Sequence, residues 1–112
     1  MAKYETRLKG NFDTVLKTLH DSVLNASATA SYEDGSDFRA GGMRCAVRVY
    51  ERYSMMGNNR VSLAMTLVGN GEGDIYLSAI TAGGSQAMFF KINTFGEEAF
   101  LDTLVTAVER LK

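Results

Sequence analysis

The chain has 112 residues, 46% of them hydrophobic and 22% charged, which is the size and composition of one globular domain and excludes disorder. Twelve basic against thirteen acidic side chains leave a net charge of −1, without the basic excess that phosphate binding draws on. A lone cysteine, Cys45, excludes an intrachain disulfide and a multi-cysteine metal site.

Residues 3–9 alternate, with Tyr4, Thr6 and Leu8 against Lys3, Glu5, Arg7 and Lys9, and predict a half-buried strand. Gly10 interrupts it. Asn11 is a good helix N-cap with Asp13 in the first turn, and Phe12, Val15, Leu16, Leu19 and Val23 recur at helical spacing to about Asn25. Residues 27–33 alternate small apolar and hydroxyl side chains, a weak strand, and Asp34-Gly35-Ser36 signals a turn.

Gly41-Gly42 opens the strongest strand, 43–53. Its odd positions carry Met43, Cys45, Val47, Val49 and Tyr53, and its even positions carry Arg44, Arg48, Tyr50 and Arg52. The aliphatic count assigns the odd side to the core and the arginines to the outer face. Gly57-Asn58-Asn59 marks the next turn, followed by a strand with Val61, Leu63, Met65 and Leu67 on one face. A Gly-rich loop at 69–73 leads to a strand over 74–82, with Ile75, Leu77 and Ala79 on one side.

After Gly83-Gly84-Ser85-Gln86, the apolar run Ala87–Ile92 predicts a short buried strand. Thr94 and Glu97 have the spacing of a capping box, and Phe100, Leu104, Ala107, Val108 and Leu111 form the stripe of a last helix. The whole, residues 1–112, reads as a single α+β domain: strand, helix, four or five strands, helix. Short Gly/Asn loops pair consecutive strands as an antiparallel meander, and one stripe per helix places both helices on one face of a two-layer sandwich. The other face is expected to carry Arg, Ser, Thr and Tyr.

Arg44-Cys45-Ala46-Val47-Arg48-Val49-Tyr50-Glu51-Arg52-Tyr53, Asn59-Arg60-Val61-Ser62-Leu63 and the stretch from Gly83 to Ile92 together resemble a family of small bacterial proteins known only as a domain of unknown function. The resemblance covers the whole chain. It implies a bacterial, cytoplasmic protein and brings no activity, cofactor or catalytic residue. The element order is also similar to TATA-binding-protein-like and helix-grip folds, whose curved sheets bind DNA, lipids or small ligands. Such likeness is a weak guide to function.

Arg44, Arg48, Tyr50 and Arg52 form the candidate binding patch, because arginines beside an aromatic clamp phosphates or stack bases. The competing and preferred reading is a row paired with acids of neighbouring strands. Gly83, Gly84, Ser85 and Gln86 form a candidate anion-cradling loop, but lack the lysine of a P-loop and the following helix of a dinucleotide site, so a plain connection is preferred. His20, the lone histidine, sits at the edge of its helix's apolar stripe and offers no ligand set, so packing is expected. Cys45 is expected to be a buried, inert thiol. Met43, Met65 and Met88 are expected in the core and Met55-Met56 in a loop. Glu97, Glu98 and Asp102 complement a helix dipole rather than forming a hydrolase pair.

No nucleophile–base pair, metal set or cofactor motif is visible, and no apolar run reaches the ~20 residues of a membrane span. The expected function is a non-enzymatic binding domain, either for a small apolar ligand between sheet and helices or for a protein partner on the open face. A structural homo-oligomer is the alternative, and nucleic-acid binding through the arginine row ranks below it.

Overall fold

The computed structural model describes residues 1–54, 59–83 and 90–112. Its elements are β1 (Ala2–Asn11), α1 (Phe12–Asn25), β2 (Ser31–Ala40), β3 (Met43–Ser54), β4 (Asn59–Gly69), β5 (Glu72–Gly83) and α2 (Phe90–Leu111). The passage from β1 to α1 follows the capping chemistry of the sequence. The Asn11 side-chain oxygen accepts from the Thr14 backbone N–H at 2.9 Å, its amide donates to Glu72 Oε1 at 2.8 Å, and the Phe12 N–H donates to the Gly71 carbonyl at 2.9 Å. Asn11→Ala is therefore expected to lower stability by about 1 kcal/mol, read as an earlier urea midpoint at unchanged slope. An unmoved midpoint would show that the cap contributes nothing.

The five strands lie in the order β1-β5-β4-β3-β2, and every neighbouring pair is antiparallel. β2 to β5 form the expected meander, and β1 closes on β5. Both helices cover one face: Leu8, Ile75, Leu77, Ala79, Val61, Leu63, Met65 and Leu67 are buried beneath them. The α1 stripe is buried as the spacing predicts, and so is that of α2, with Leu101 added and Leu111 only partly covered.

Two local expectations are corrected. Asp34-Gly35-Ser36 is not a turn; β2 runs through it, with a bulge between Tyr32 and Asp34. Gly35 serves close approach: a Cβ there would lie 2.3 Å from the Tyr32 hydroxyl and 2.9 Å from the Val47 carbonyl oxygen. The turn that builds this hairpin is Gly41-Gly42, whose φ values of 56° and 86° are the left-handed pair a two-residue connection requires.

The strand expected over Ala87–Ile92 is absent over residues 90–92, which open α2; residues 84–89 lie outside the described residues. Thr94 is consequently inside the helix and starts nothing. Glu97 is buried, with its carboxylate against the Met1 amino group and its carbonyl accepting from Thr81 Oγ1 at 3.0 Å. A six-residue apolar run has no period that separates a buried strand from a buried helix turn.

Candidate functional site

The arginine strand faces the other way from the expectation. β3 pairs Ala46 with Leu67, Arg48 with Met65, Tyr50 with Leu63 and Arg52 with Val61. Those β4 residues are buried under the helices, so the even residues of β3 point to the helices too. Ala46 and Tyr50 are buried, while Cys45, Val47 and Val49 stand on the open face, half-covered. The open-face placement of Arg44, Arg48 and Arg52 is thereby overturned. β3 carries apolar residues on both sides, and its register is imposed by β4, whose pattern is one-sided.

On the helix side each arginine has a local function. Arg44 bonds Asp13 of α1 at 2.7 Å and lies 4.4 Å over the Phe12 ring. Arg48 reaches Asp37 at 3.1 Å and donates to the Val47 carbonyl at 2.9 Å. Arg52 lies 4.8 Å over the ring of Phe100 in α2, and burial there lowers its pKa. Aliphatic stems cover the core margin while the charged heads meet acids or ring faces.

Between them, Tyr50 is fully buried and its hydroxyl lies 2.7 Å from His20 Nδ1. The Tyr32 ring packs on both, its centroid 5.2 Å from that of His20 and 5.8 Å from that of Tyr50. Burial pushes the Tyr50 phenol above its ordinary pKa, with Arg48 acting weakly in the opposite sense. The expectation that His20 packs at the helix edge is met, with a buried phenol as its partner. Among the described residues no three His, Cys, Asp or Glu side chains are grouped to hold a metal ion.

The open face was expected to carry Arg, Ser, Thr and Tyr; Ser78, Thr66 and Ser36 do cross its middle in line with Glu5 and Val47, and apolar residues lie on either side of them. Registers align Arg7, Tyr76, Val68, Cys45 and Phe38 in one line across all five strands, and Lys3, Ile80, Ala64, Val49 and Asp34 in a second. Phe38 is 56% exposed, Tyr76 51% and Met43 36%. Cys45 is thus a half-buried residue of this face rather than a core thiol, and Met43 also leaves the core, where Met65 remains.

A shallow hollow of about 300 Å³ lies between Glu5, Thr66, Val68, Tyr76 and Ser78. The margins are charged. Lys3, Glu5, Arg7 and Lys9 project from β1, while Glu33 and Asp34 project from β2. One cation stands nearer the centre: Arg60 bonds Glu51 at 2.6 Å and lies 3.6 Å from Glu33.

Reading each strand for a single apolar side hid this surface. The signal was present in β5, where Tyr76 and Ile80 interleave with Ile75, Leu77 and Ala79. A strand apolar on both sides is one that expects cover on both sides.

Elsewhere the surface is less suggestive. Between sheet and helices the core side chains of both layers pack as one cluster. A groove of about 590 Å³ between α1 and α2 is open, with Thr18, Asp21, Asn25, Thr106 and Arg110 on its walls. Gly83 ends β5, while Gly84, Ser85 and Gln86 of the candidate loop lie outside the described residues, as do Met55, Met56 and Met88. No described helix is long and apolar enough to cross a membrane.

A family model matches residues 1–112, the entire chain, and its description is family of unknown function DUF6054. The chain belongs to that family, in keeping with the resemblance read from residues 44–53, 59–63 and 83–92. A search of curated proteins returns no match.

Proposed function

We propose that this chain is a non-enzymatic binding domain of the bacterial cytoplasm that docks a protein partner on the open face of its sheet. One observation carries the reading: the line Phe38, Cys45, Val68, Tyr76 exposes contiguous apolar surface on the sheet face that the helices leave bare. Contiguous exposed apolar surface with a polar rim is the usual mark of an interaction site. The face is broad and shallow, whereas small-molecule sites are concave and enclose most of their ligand. Arginines that would serve nucleic acid lie on the opposite side, with Arg44 and Arg48 held by Asp13 and Asp37.

The test is site-specific photocross-linking. A benzophenone side chain at Phe38 or Tyr76 should form one discrete protein adduct in cells, identified by peptide mass spectrometry as this chain or another. The same group at Thr18, on the helix layer, should form none. Adducts absent from both open-face positions, or equal at Thr18, would sink the proposal.

A further inference from the structure

We infer that the occupant of the open face is a second copy of this chain, related by a two-fold axis running along β4. The inference rests on the reading above and names its partner. β4 is the central strand of the five. A two-fold axis along it lays β4 over β4, β5 over the partner's β3, and β1 over the partner's β2. Face-to-face sheets keep their strands near-aligned, about 10 Å apart.

The registers then decide what meets what. Lys3 falls opposite the partner's Asp34, and Ile80 falls opposite the partner's Val49, since all four lie on one cross-strand line. On the other line Tyr76 falls opposite the partner's Cys45 and Val68 opposite itself. Arg7 falls opposite the partner's Phe38, which also stands over the hollow beside Glu5 and Tyr76. Each contact off the axis occurs twice by symmetry and the Val68 pair on it once, as an isologous interface requires.

The charges support the second copy over an unrelated partner. On β1 the cations Lys3, Arg7 and Lys9 outnumber one acid, Glu5, which accepts from Ser78, while the anions Glu33 and Asp34 sit at the opposite margin, so the face complements itself at Lys3 and Asp34 when turned about β4. Five strands about ten residues long present roughly 800 Å², from strand spacing ~4.8 Å and rise ~3.4 Å. That is about what each partner contributes to a stable interface. Edge-to-edge pairing is disfavoured, because β1 and β2 carry charges along their lengths and β2 is bulged.

Sedimentation equilibrium across the micromolar range is expected to show a dimer. Val68→Glu, on the axis and only half-buried, should give a monomer with unchanged circular dichroism, whose melting no longer depends on protein concentration as the dimer's does. Lys3→Asp and Asp34→Lys should each weaken the dimer roughly tenfold, since each places two like-charge pairs in the interface. Mixing the two variants should restore a heterodimer of near wild-type affinity, because both pairs become attractive. A wild-type monomer throughout, a dimer indifferent to Val68→Glu, or charge variants that do not rescue each other would overturn the inference. Adducts from Phe38 or Tyr76 to a different protein would still uphold the protein-docking reading, so the two fail separately.

Discussion

Tyr50→Ala should lower the unfolding free energy by about 3–5 kcal/mol, a large fraction of what a domain of this size has. The side chain is fully buried at the junction of α1, β2 and β3, and its ring meets those of His20 and Tyr32. Tyr50→Phe keeps the ring and removes only the hydroxyl bonded to His20 Nδ1. Its cost should be about 1–2 kcal/mol, because a partly buried imidazole nitrogen loses its partner. Urea unfolding of both variants checks the order, and equal losses would mean the hydroxyl rather than the ring dominates.

The same phenol carries a pH dependence. Burial raises its folded pKa above the unfolded value of about 10. Its contribution is fully present below that pH and declines as pH rises further, because the unfolded chain gives up the proton more readily. Wild-type stability should therefore fall more steeply above about pH 10 than that of Tyr50→Phe. Parallel declines would show that Tyr50 titrates alike folded and unfolded.

How much of this was legible depends on whether a segment had one apolar side or two. α1 has a single stripe, Phe12 to Val23, and a side-chain cap at Asn11, so spacing alone placed its face and its start. β4 alternates Val61, Leu63, Met65 and Leu67 with smaller or polar residues, and its inner face follows from the pattern. β3 offered Cys45, Val47 and Val49 on one side and Ala46 and Tyr50 on the other.

Counting aliphatics chose wrongly there, because arginine was treated as a charge that must avoid the helices. Arg44 and Arg52 instead lie over Phe12 and Phe100. Parity in a paired strand is a property of its register, and Ser54 faces Asn59, so every odd residue of β3 meets an even residue of β4. A turn placed one residue away inverts the whole face. The candidate site was missed for that reason, although Tyr76 and Ile80 were in plain sight. Gly35 misled separately: its turn composition reflects the Tyr32 hydroxyl lying over it, a tertiary contact that no local pattern carries.

Phe12→Ala should cost about 3–5 kcal/mol as well, and its partner Gly69 allows a sharper test. Phe12 is fully buried at the first position of α1, under Arg44 and beside the β4–β5 hairpin. A Cβ on Gly69 would stand 3.2 Å from Phe12 Cδ2 and 3.1 Å from the Asp74 carbonyl oxygen, so the ring occupies space that the glycine leaves. Gly69→Val should consequently destabilise by about 1–3 kcal/mol through overpacking.

The two effects are coupled, since truncating Phe12 empties the volume that the valine needs. In the double variant Phe12→Ala/Gly69→Val the loss should fall short of the sum of the singles by about 1 kcal/mol or more. Strict additivity would place the strain of Gly69→Val at the Asp74 backbone instead of the ring.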